Sequence, residues 1–215
     1  MKALLYKEMK LTASPLSFLF IAFSLMTFIP GYPILLAGFF VCFGIFQSFQ
    51  AGREAGDILY TAMLPVEKAD VVRAKFAFTV AIQMIAFLAA AVFTALRMTL
   101  LKNAEVYLQN ALMNANLAYL GYILLLYAAF NTLFVRRFFK TAYAIGIPFL
   151  LFGIAAFLLI GVTETLHFLP HCGGLNATGF EQIQLLPLLL GAAVYLLSTL
   201  LAQKQSIAAF EKLDL

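Results

Sequence analysis

The chain has 215 residues, of which 64% are hydrophobic and 11% are charged, and its formal net charge is +4 at pH 7. A soluble domain of this length cannot bury so much apolar surface, so the composition excludes a soluble protein and predicts an all-α integral membrane protein. The apolar segments follow one another without a Ser/Pro-rich linker, which predicts a single domain, 1–215. The positive charge is explained by membrane topology, and we expect no nucleic-acid partner.

The N-terminal segment 1–13 is predicted to be an interfacial helix. At about 100° per residue, Lys2, Lys7 and Lys10 share one arc, and apolar side chains share most of the other. Glu8 intrudes on that apolar face. A basic amphipathic helix of this kind lies in the plane of the membrane surface.

Six apolar segments follow, and each is predicted to cross the membrane. Their bounds are 16–29, 32–49, 76–96, 117–135, 141–162 and 183–201. The sequence Pro-Gly-Tyr-Pro at 30–33 joins the first two so tightly that they must form an antiparallel hairpin. No small-residue cleavage site follows the first apolar region, so we expect the N-terminus to be retained.

The distribution of Lys and Arg predicts the orientation. With the N-terminus in the cytoplasm, twelve of these residues lie inside, and only Arg97 and Lys102 lie outside. Short loops follow the positive-inside bias. Both termini are therefore predicted to be cytoplasmic.

The interiors of the predicted spans contain neutral polar residues but no Asp, Glu, Lys, Arg or His. The neutral polar residues at depth include Gln47, Thr79, Gln83, Asn131, Thr132, Ser198 and Thr199. Carriers driven by an ion gradient keep an ionisable residue at depth, so this chain is not expected to use a gradient. Hydrogen bonding between helices is the first interpretation of these residues, and Gln83 and Asn131 are retained as candidates for the substrate path.

No catalytic constellation is apparent, and we predict that the chain is not an enzyme. The outer loop, 163–182, holds His167, His171 and Cys172, with Glu164 one turn earlier. Proline and glycine in this loop argue against the rigid helical spacing of a zinc site, so no metal site is predicted. The sequence also lacks Gly-Lys-Ser/Thr, so no nucleotide cofactor is expected on this chain through a P-loop.

Segment 53–66, between the second and third spans, is charged and interrupted by proline. Asp57 can cap a short helix that carries Ile58, Leu59 and Met63 on overlapping faces, and Pro65 ends it. A second helix then leads into the third span. One interpretation is a docking helix for a partner, and the other is an interfacial connector whose apolar face dips into lipid headgroups.

These motifs resemble the small six-helix permeases of the ABC-2 type exporter superfamily. The resemblance rests on Leu-Leu-Tyr-Lys-Glu-Met-Lys-Leu before the first span, Glu54 after the second, and Leu-Pro-Val-Glu-Lys-Ala-Asp-Val-Val-Arg-Ala-Lys-Phe leading into the third. That family usually has Ser or Thr after Leu-Pro-Val/Ile, where this chain has Glu67 followed by Lys68. An acidic residue is acceptable near a helix N-terminus.

The resemblance implies that segment 53–66 is a coupling helix that docks on a separate ABC ATPase subunit, which binds the ATP and Mg. The coupling residues it implies are Glu54, Asp57, Ile58, Leu59, Tyr60, Met63, Leu64, Pro65 and Val66. It further implies a second permease chain, a bacterial plasma-membrane location, and outward movement of an amphipathic peptide or lipid-like substrate by alternating access. The 23 Phe residues are expected mainly to face lipid.

Two other functions remain open. One is the substrate-capturing subunit of an energy-coupling-factor importer, which would need a polar outer pocket and small-residue contact faces that the sequence does not display. The other is a membrane assembly or immunity protein without transport activity. Copurification with an ATPase and the direction of flux would separate the three.

Overall fold

The computed structural model describes residues 2–141 and 143–213. Four residues lie outside the described ranges. They are Met1 in the predicted interfacial helix, Ala142 in the fifth predicted span, and Asp214 and Leu215 at the end of domain 1–215. Within the described ranges the chain forms helices and connecting turns, and no strand. The predicted all-helical class is confirmed.

The described residues form ten α-helices, labelled in chain order. They are α1 (Lys2–Lys7), α2 (Pro15–Leu19), α3 (Leu36–Glu54), α4 (Asp57–Ala62), α5 (Lys68–Leu100), α6 (Glu105–Leu108), α7 (Leu117–Phe130), α8 (Arg136–Phe138), α9 (Gly146–Leu166) and α10 (Leu185–Phe210). Turns of π-helix, Glu8–Thr12 and Asn131–Val135, follow α1 and α7. Segments of 3₁₀-helix occur at Phe20–Phe28, Gly173–Asn176 and Gln182–Gln184.

Four helices in the described ranges are long and apolar enough to cross a membrane. They are Lys68–Leu100, Leu117–Phe138, Gly146–Leu166 and Gln182–Phe210, and they correspond to the third to sixth predicted spans. A fifth is possible if Lys2–Thr12 and Pro15–Phe28, which are bent by 93° relative to each other, count as one span. The structure therefore gives a multi-pass membrane protein with four or five clear spans.

The bend separates the N-terminal helix from the first predicted span. Ala13 has an extended backbone, with φ −63° and ψ 124°, and Pro15 begins α2 with the Ser14 hydroxyl accepting a hydrogen bond from the Leu16 amide. A proline at the first helical position suits a new helix but not the continuation of an old one. The second predicted span is α3, whose last turns carry Gln50, Arg53 and Glu54.

Helix α7 lies at the centre of the bundle and packs most closely against α10. Gly121 of α7 faces Gly191 of α10, and a Cβ on Gly191 would lie 2.2 Å from the Gly121 carbonyl oxygen. A Cβ on Gly121 would come equally close to the Pro187 carbonyl oxygen. Any larger side chain would force the helices apart. This contact between glycines of α7 and α10 lies within the chain, and the sequence pattern does not display it.

Many of the Phe residues form an aromatic cluster inside the bundle, contrary to the expected lipid-facing role. Phe130 and Phe134 are fully buried, and Phe134 makes an edge contact with Phe49 of α3. Phe46 of α3 stacks on Phe149 of α9 with centroids 4.0 Å apart. The rings fill the space between α3, α7 and α9, so they stabilise the fold through packing.

Helix α5 extends beyond the third predicted span at both ends. It contains Lys75 and Arg97, which are both almost completely buried. The third span was predicted to end at residue 96, but Arg97 lies within α5, where its guanidinium has polar partners inside the protein. We call the end of the bundle with α1, α4 and Lys75 the α4 end, and the end with Arg97 the opposite end.

Candidate functional site

A closed ring of four charges, two buried and two partly buried, lies at the α4 end. Lys7 Nζ lies 2.6 Å from Asp57 Oδ1 and 3.2 Å from Glu8 Oε1. Lys75 Nζ lies 2.8 Å from Glu8 Oε2 and 3.0 Å from Asp57 Oδ2. Each lysine thus contacts both carboxylates, and the ring has no net charge.

The ring is well shielded from solvent. The side chains of Glu8 and Lys75 are 3% and 4% exposed, and the Lys75 ammonium also lies over the Phe49 ring at 5.6 Å. The Lys7 ammonium donates a further hydrogen bond, 2.7 Å long, to the Thr61 hydroxyl. Burial raises the pKa of Asp57, but the adjacent Lys75 and Lys7 outweigh it, so the pKa stays below its ordinary value.

Three separate parts of the chain meet in this ring. Lys7 and Glu8 come from the junction of α1 with its π turn, Asp57 begins α4, and Lys75 lies in the second turn of α5. Buried charges are costly unless each has a partner, so moving α4 alone would leave charges unpaired. The ring therefore holds α4 against both the N-terminal helix and α5.

The sequence predicted Asp57 as the N-cap of α4, and this prediction is wrong. Gly56 holds the N-cap position with φ 64°, and the Asp57 carboxylate is directed into the ring. Glycine adopts this left-handed conformation without strain. The short helix ends at Ala62, before Pro65, and Glu67 stands at the N-cap of α5 without a side-chain cap bond.

Most of the predicted coupling residues lie on an exposed apolar surface beyond the ring, which we call the 59–66 surface. It consists of Leu59, Tyr60, Met63, Leu64, Pro65 and Val66. Met63 and Tyr60 protrude furthest, at 83% and 65% exposed. Glu54 is also exposed and accepts a hydrogen bond from the Gln50 side chain. Ile58 is buried in the core, so it supports this surface from behind and is not part of it.

Two cavities flank Tyr60. One, of about 380 Å³, lies between the π turn after α1 and the end of α3 and includes Leu11 and Gly52. The other, of about 500 Å³, lies between α1 and the turn at Leu64 and Pro65. An exposed apolar ridge between two grooves is a shape suited to binding another protein.

Gln83 and Asn131, the candidates for the substrate path, lie together in the interior. Gln83 Nε2 donates to Asn131 Oδ1 at 3.0 Å, and Asn131 Nδ2 donates to Gln83 Oε1 at 3.1 Å. Asn131 also donates to the Thr199 hydroxyl, and Tyr195 donates to Gln83. The cluster joins α5, α10 and the π turn after α7, in line with the interhelical hydrogen bonding that was the first interpretation.

The opposite end is held by a different polar cluster. Arg97 donates to the Thr27 carbonyl and to Asn114 Oδ1, and its guanidinium lies 3.9 Å from the Tyr107 ring centroid. Glu164 is still part of α9, where it accepts a hydrogen bond from the Met113 amide at 2.7 Å. The predicted outer loop, 163–182, therefore begins only after Leu166.

The histidine and cysteine residues of that loop do not assemble into a metal site. The rings of His167 and Phe168 lie 4.0 Å apart and are tilted by 37°, and His171 has φ 67°. No group of three His, Cys, Asp or Glu side chains suited to a metal ion occurs among the described residues. The loop instead borders a polar groove of about 480 Å³ with His167, Asn176 and Glu181 in its wall. The importer interpretation needed such an outer pocket, and the sequence pattern did not reveal it.

Comparison with known proteins assigns the chain to a family. The model of the family described as "ABC-2 family transporter protein" matches residues 3–206. Comparisons with curated proteins and with solved structures give no match. The matched range includes the ion-pair ring, the 59–66 surface, three of the four clear spans and most of the last one. The chain therefore belongs to the ABC-2 transporter family and is a membrane-spanning permease of that family.

Proposed function

We propose that this chain is the permease subunit of an ATP-driven ABC exporter and moves an amphipathic substrate out of the cell. The observation that carries the proposal is the 59–66 surface, which is apolar, exposed and mounted on a buried ring of ion pairs. Permeases of this family generally work with an ABC ATPase. The proposed partner is a separate ATPase subunit that binds ATP and Mg and docks on the 59–66 surface.

The proposed topology has six spans with both termini in the cytoplasm of a bacterium. Helix α3 has 19 residues and would be about 28 Å long, close to the thickness of the hydrocarbon core. The first span combines five α-helical and nine 3₁₀ residues. At about 2.0 Å per 3₁₀ residue, it reaches roughly 25 Å, against about 21 Å for an α-helix of the same length.

The charge ring supports a mechanical role for this surface. An ATPase that pulls on Met63 or Tyr60 would also pull on α4, and the ring connects α4 to Lys75 in the second turn of α5. Helix α5 runs for 33 residues to Leu100. A rigid helix of that length would carry the movement to the opposite end of the bundle.

Alternating access is the proposed mechanism. Two permease chains would form the pathway between them, and nucleotide binding would bring the two ATPases together and rock the permeases outward. In this account the ATPase performs the catalysis. The substrate class is an amphipathic peptide or a lipid-like molecule, and the Gln83 and Asn131 cluster is available to a polar group only if its own hydrogen bonds open.

The importer subunit is the second candidate function. The polar groove of about 480 Å³ at the opposite end favours it. An exporter and an importer of this kind both bind an ATPase, so copurification does not separate them. Flux of labelled substrate into or out of inverted membrane vesicles does.

The first experiment tests the proposed docking surface. The tagged protein is purified in mild detergent from its native host, as wild type, as Met63→Asp and as Phe168→Asp. Phe168 is an exposed apolar residue in the loop at the opposite end, so it is a matched control for the same kind of change. A charge at the centre of an apolar interface should lower ATPase recovery at least about tenfold in Met63→Asp alone.

Two outcomes would contradict the proposal. The first is that no ATPase copurifies with a folded wild-type chain. The second is equal loss of ATPase in Met63→Asp and Phe168→Asp, because that result would mean that ATPase binding does not depend specifically on the 59–66 surface. Leu59→Asp provides an independent variant of the same surface, and it should uncouple ATP hydrolysis from transport in reconstituted vesicles.

A further inference from the structure

A groove between α5 and α10 opens on the outside of the bundle near the α4 end. It has a volume of about 450 Å³, and its walls include Phe76, Ala77, Val80, Leu196 and Leu200. Both helices are candidate membrane spans, and Leu196 and Leu200 are more than half exposed. The groove is therefore open to the surroundings of the bundle, which in a membrane are lipid chains.

The groove has a polar mouth and an apolar interior. Arg73 and Gln203 line it at the end nearest the α4 end. The Arg73 side chain is 46% exposed, and its Nη1 atom donates to Asp70 Oδ1 in an ion pair at 2.9 Å. Guanidinium has five N–H donors, so several of them can bind an anion while that ion pair is kept.

The groove is long enough for the part of one acyl chain nearest the headgroup. Seven residues separate Arg73 from Val80 on α5, which corresponds to about 10 Å along the helix axis. Tyr195 and Thr199 close the groove at its inner wall, where the Thr199 hydroxyl accepts the hydrogen bond from Asn131. The groove therefore ends beside the buried Gln83 and Asn131 cluster.

We propose that this groove binds an anionic phospholipid of the cytoplasmic leaflet, with the phosphate at Arg73 and an acyl chain along Leu196 and Val80. The leaflet assignment rests on the orientation given under the proposed function, while the binding chemistry does not. Arg73 complements an anionic headgroup, and the cytoplasmic leaflet supplies such headgroups. A bound lipid at this position would pack against the two helices that meet at the Gln83 and Asn131 cluster.

The chain contains no Trp, so a single introduced Trp reports on one position. Leu200→Trp places the fluorophore in the groove, and Ile154→Trp places it on the exposed side of α9 at a similar distance from the helix end. Each protein is reconstituted in vesicles that contain both phosphatidylcholine and phosphatidylglycerol. In one sample the phosphatidylcholine carries bromine on its acyl chains, and in the other the phosphatidylglycerol does. Quenching gives the relative association constant of the two lipids at each site.

The expected result is a preference of about fivefold for phosphatidylglycerol at Leu200→Trp, since one basic residue near an anionic surface contributes about 1 kcal/mol. Ile154→Trp should show no preference. Arg73→Gln in the Leu200→Trp protein should abolish the preference but keep the quenching, whereas Arg53→Gln, a change at an exposed arginine outside the groove, should leave both intact.

Two results would overturn the proposal. Equal quenching by both lipids would mean that acyl chains reach the groove without recognition of the headgroup. An absence of quenching at Leu200→Trp would mean that protein, and not lipid, covers the groove. Neither result bears on ATPase copurification, so failure here is distinguishable from failure of the proposed function.

Discussion

Replacing Lys75 with Met is expected to release α4 from the rest of the protein. The change deletes the two ion pairs of 2.8 and 3.0 Å and leaves the carboxylates of Glu8 and Asp57 with Lys7 as their one cation in the ring. Breaking a buried ion pair by removing one partner costs about 3–5 kcal/mol. Most of this cost should appear as local opening of α4, because α4 has only six residues.

The opening can be measured with a single cysteine on the inner side of α4. Ile58 is 6% exposed, and Ile58→Cys is introduced after Cys42→Ala and Cys172→Ser have removed the native thiols. The rate of reaction with a maleimide then reports the open fraction. A cost of about 3–5 kcal/mol corresponds to a rate increase of roughly 150- to 5,000-fold in Lys75→Met, and the exposed Lys204→Met should change the rate little.

The double variant Glu8→Gln with Lys75→Met separates an ion-pair effect from a packing effect. It removes one cation and one anion, and the pair of Lys7 with Asp57, at 2.6 Å, remains. Protection of the thiol should return to within about tenfold of the parent. The reasoning is refuted if Lys75→Met reacts within threefold of the parent, or if the double variant is as reactive as the single one.

Two further predictions concern pH and helix packing. The pKa of Asp57 is lower in the folded protein than its unfolded value, about 3.9, so its contribution to stability is present above that pH and is lost as the pH falls through the folded value. The difference in thermal stability between wild type and Asp57→Asn should thus be constant from pH 5 to 8 and shrink below about pH 4, and a difference that grows below pH 4 would contradict it. Gly121→Ala should lower the free energy of unfolding by about 1–3 kcal/mol in SDS titrations followed by circular dichroism, because the alanine Cβ would lie 2.2 Å from the Pro187 carbonyl oxygen. Gly153→Ala, with nothing within 4 Å of its Cβ, should be neutral or slightly stabilising, and equal effects of the two changes would refute the packing argument.

The sequence predicts the helices of this protein well because their apolar character is local information. Segments such as 117–135 and 183–201 are recognisable without any knowledge of their neighbours. Their ends are less predictable. The third span was predicted to end at residue 96, but α5 continues through Arg97 to Leu100, because Thr27, Asn114 and Tyr107 provide partners that only the folded chain brings together.

The ring of charges was also beyond sequence reasoning, although one signal pointed to it. Glu8 interrupts the apolar face of the N-terminal helix, where an amphipathic pattern would place a hydrophobic residue. A charge on an apolar face requires a buried partner, and Lys75, 67 residues later, provides it. The family resemblance located segment 53–66, but not the orientation of Asp57 and Ile58, which depends on those distant contacts.

The ring also determines which Lys and Arg residues of the α4 end can attract anionic lipid headgroups. Twelve Lys and Arg residues favour a cytoplasmic location for that end, and carboxylates contribute little to this rule, so Glu8 and Asp57 do not weaken the prediction. Attraction to anionic headgroups depends instead on the charge that is accessible. Lys7 and Lys75 are neutralised inside the protein, so any such attraction must come from exposed residues such as Arg53 and Arg73. Of these two, only Arg73 lines the groove between α5 and α10, which is why a preference for anionic lipid should depend on Arg73 and not on the overall charge of that end.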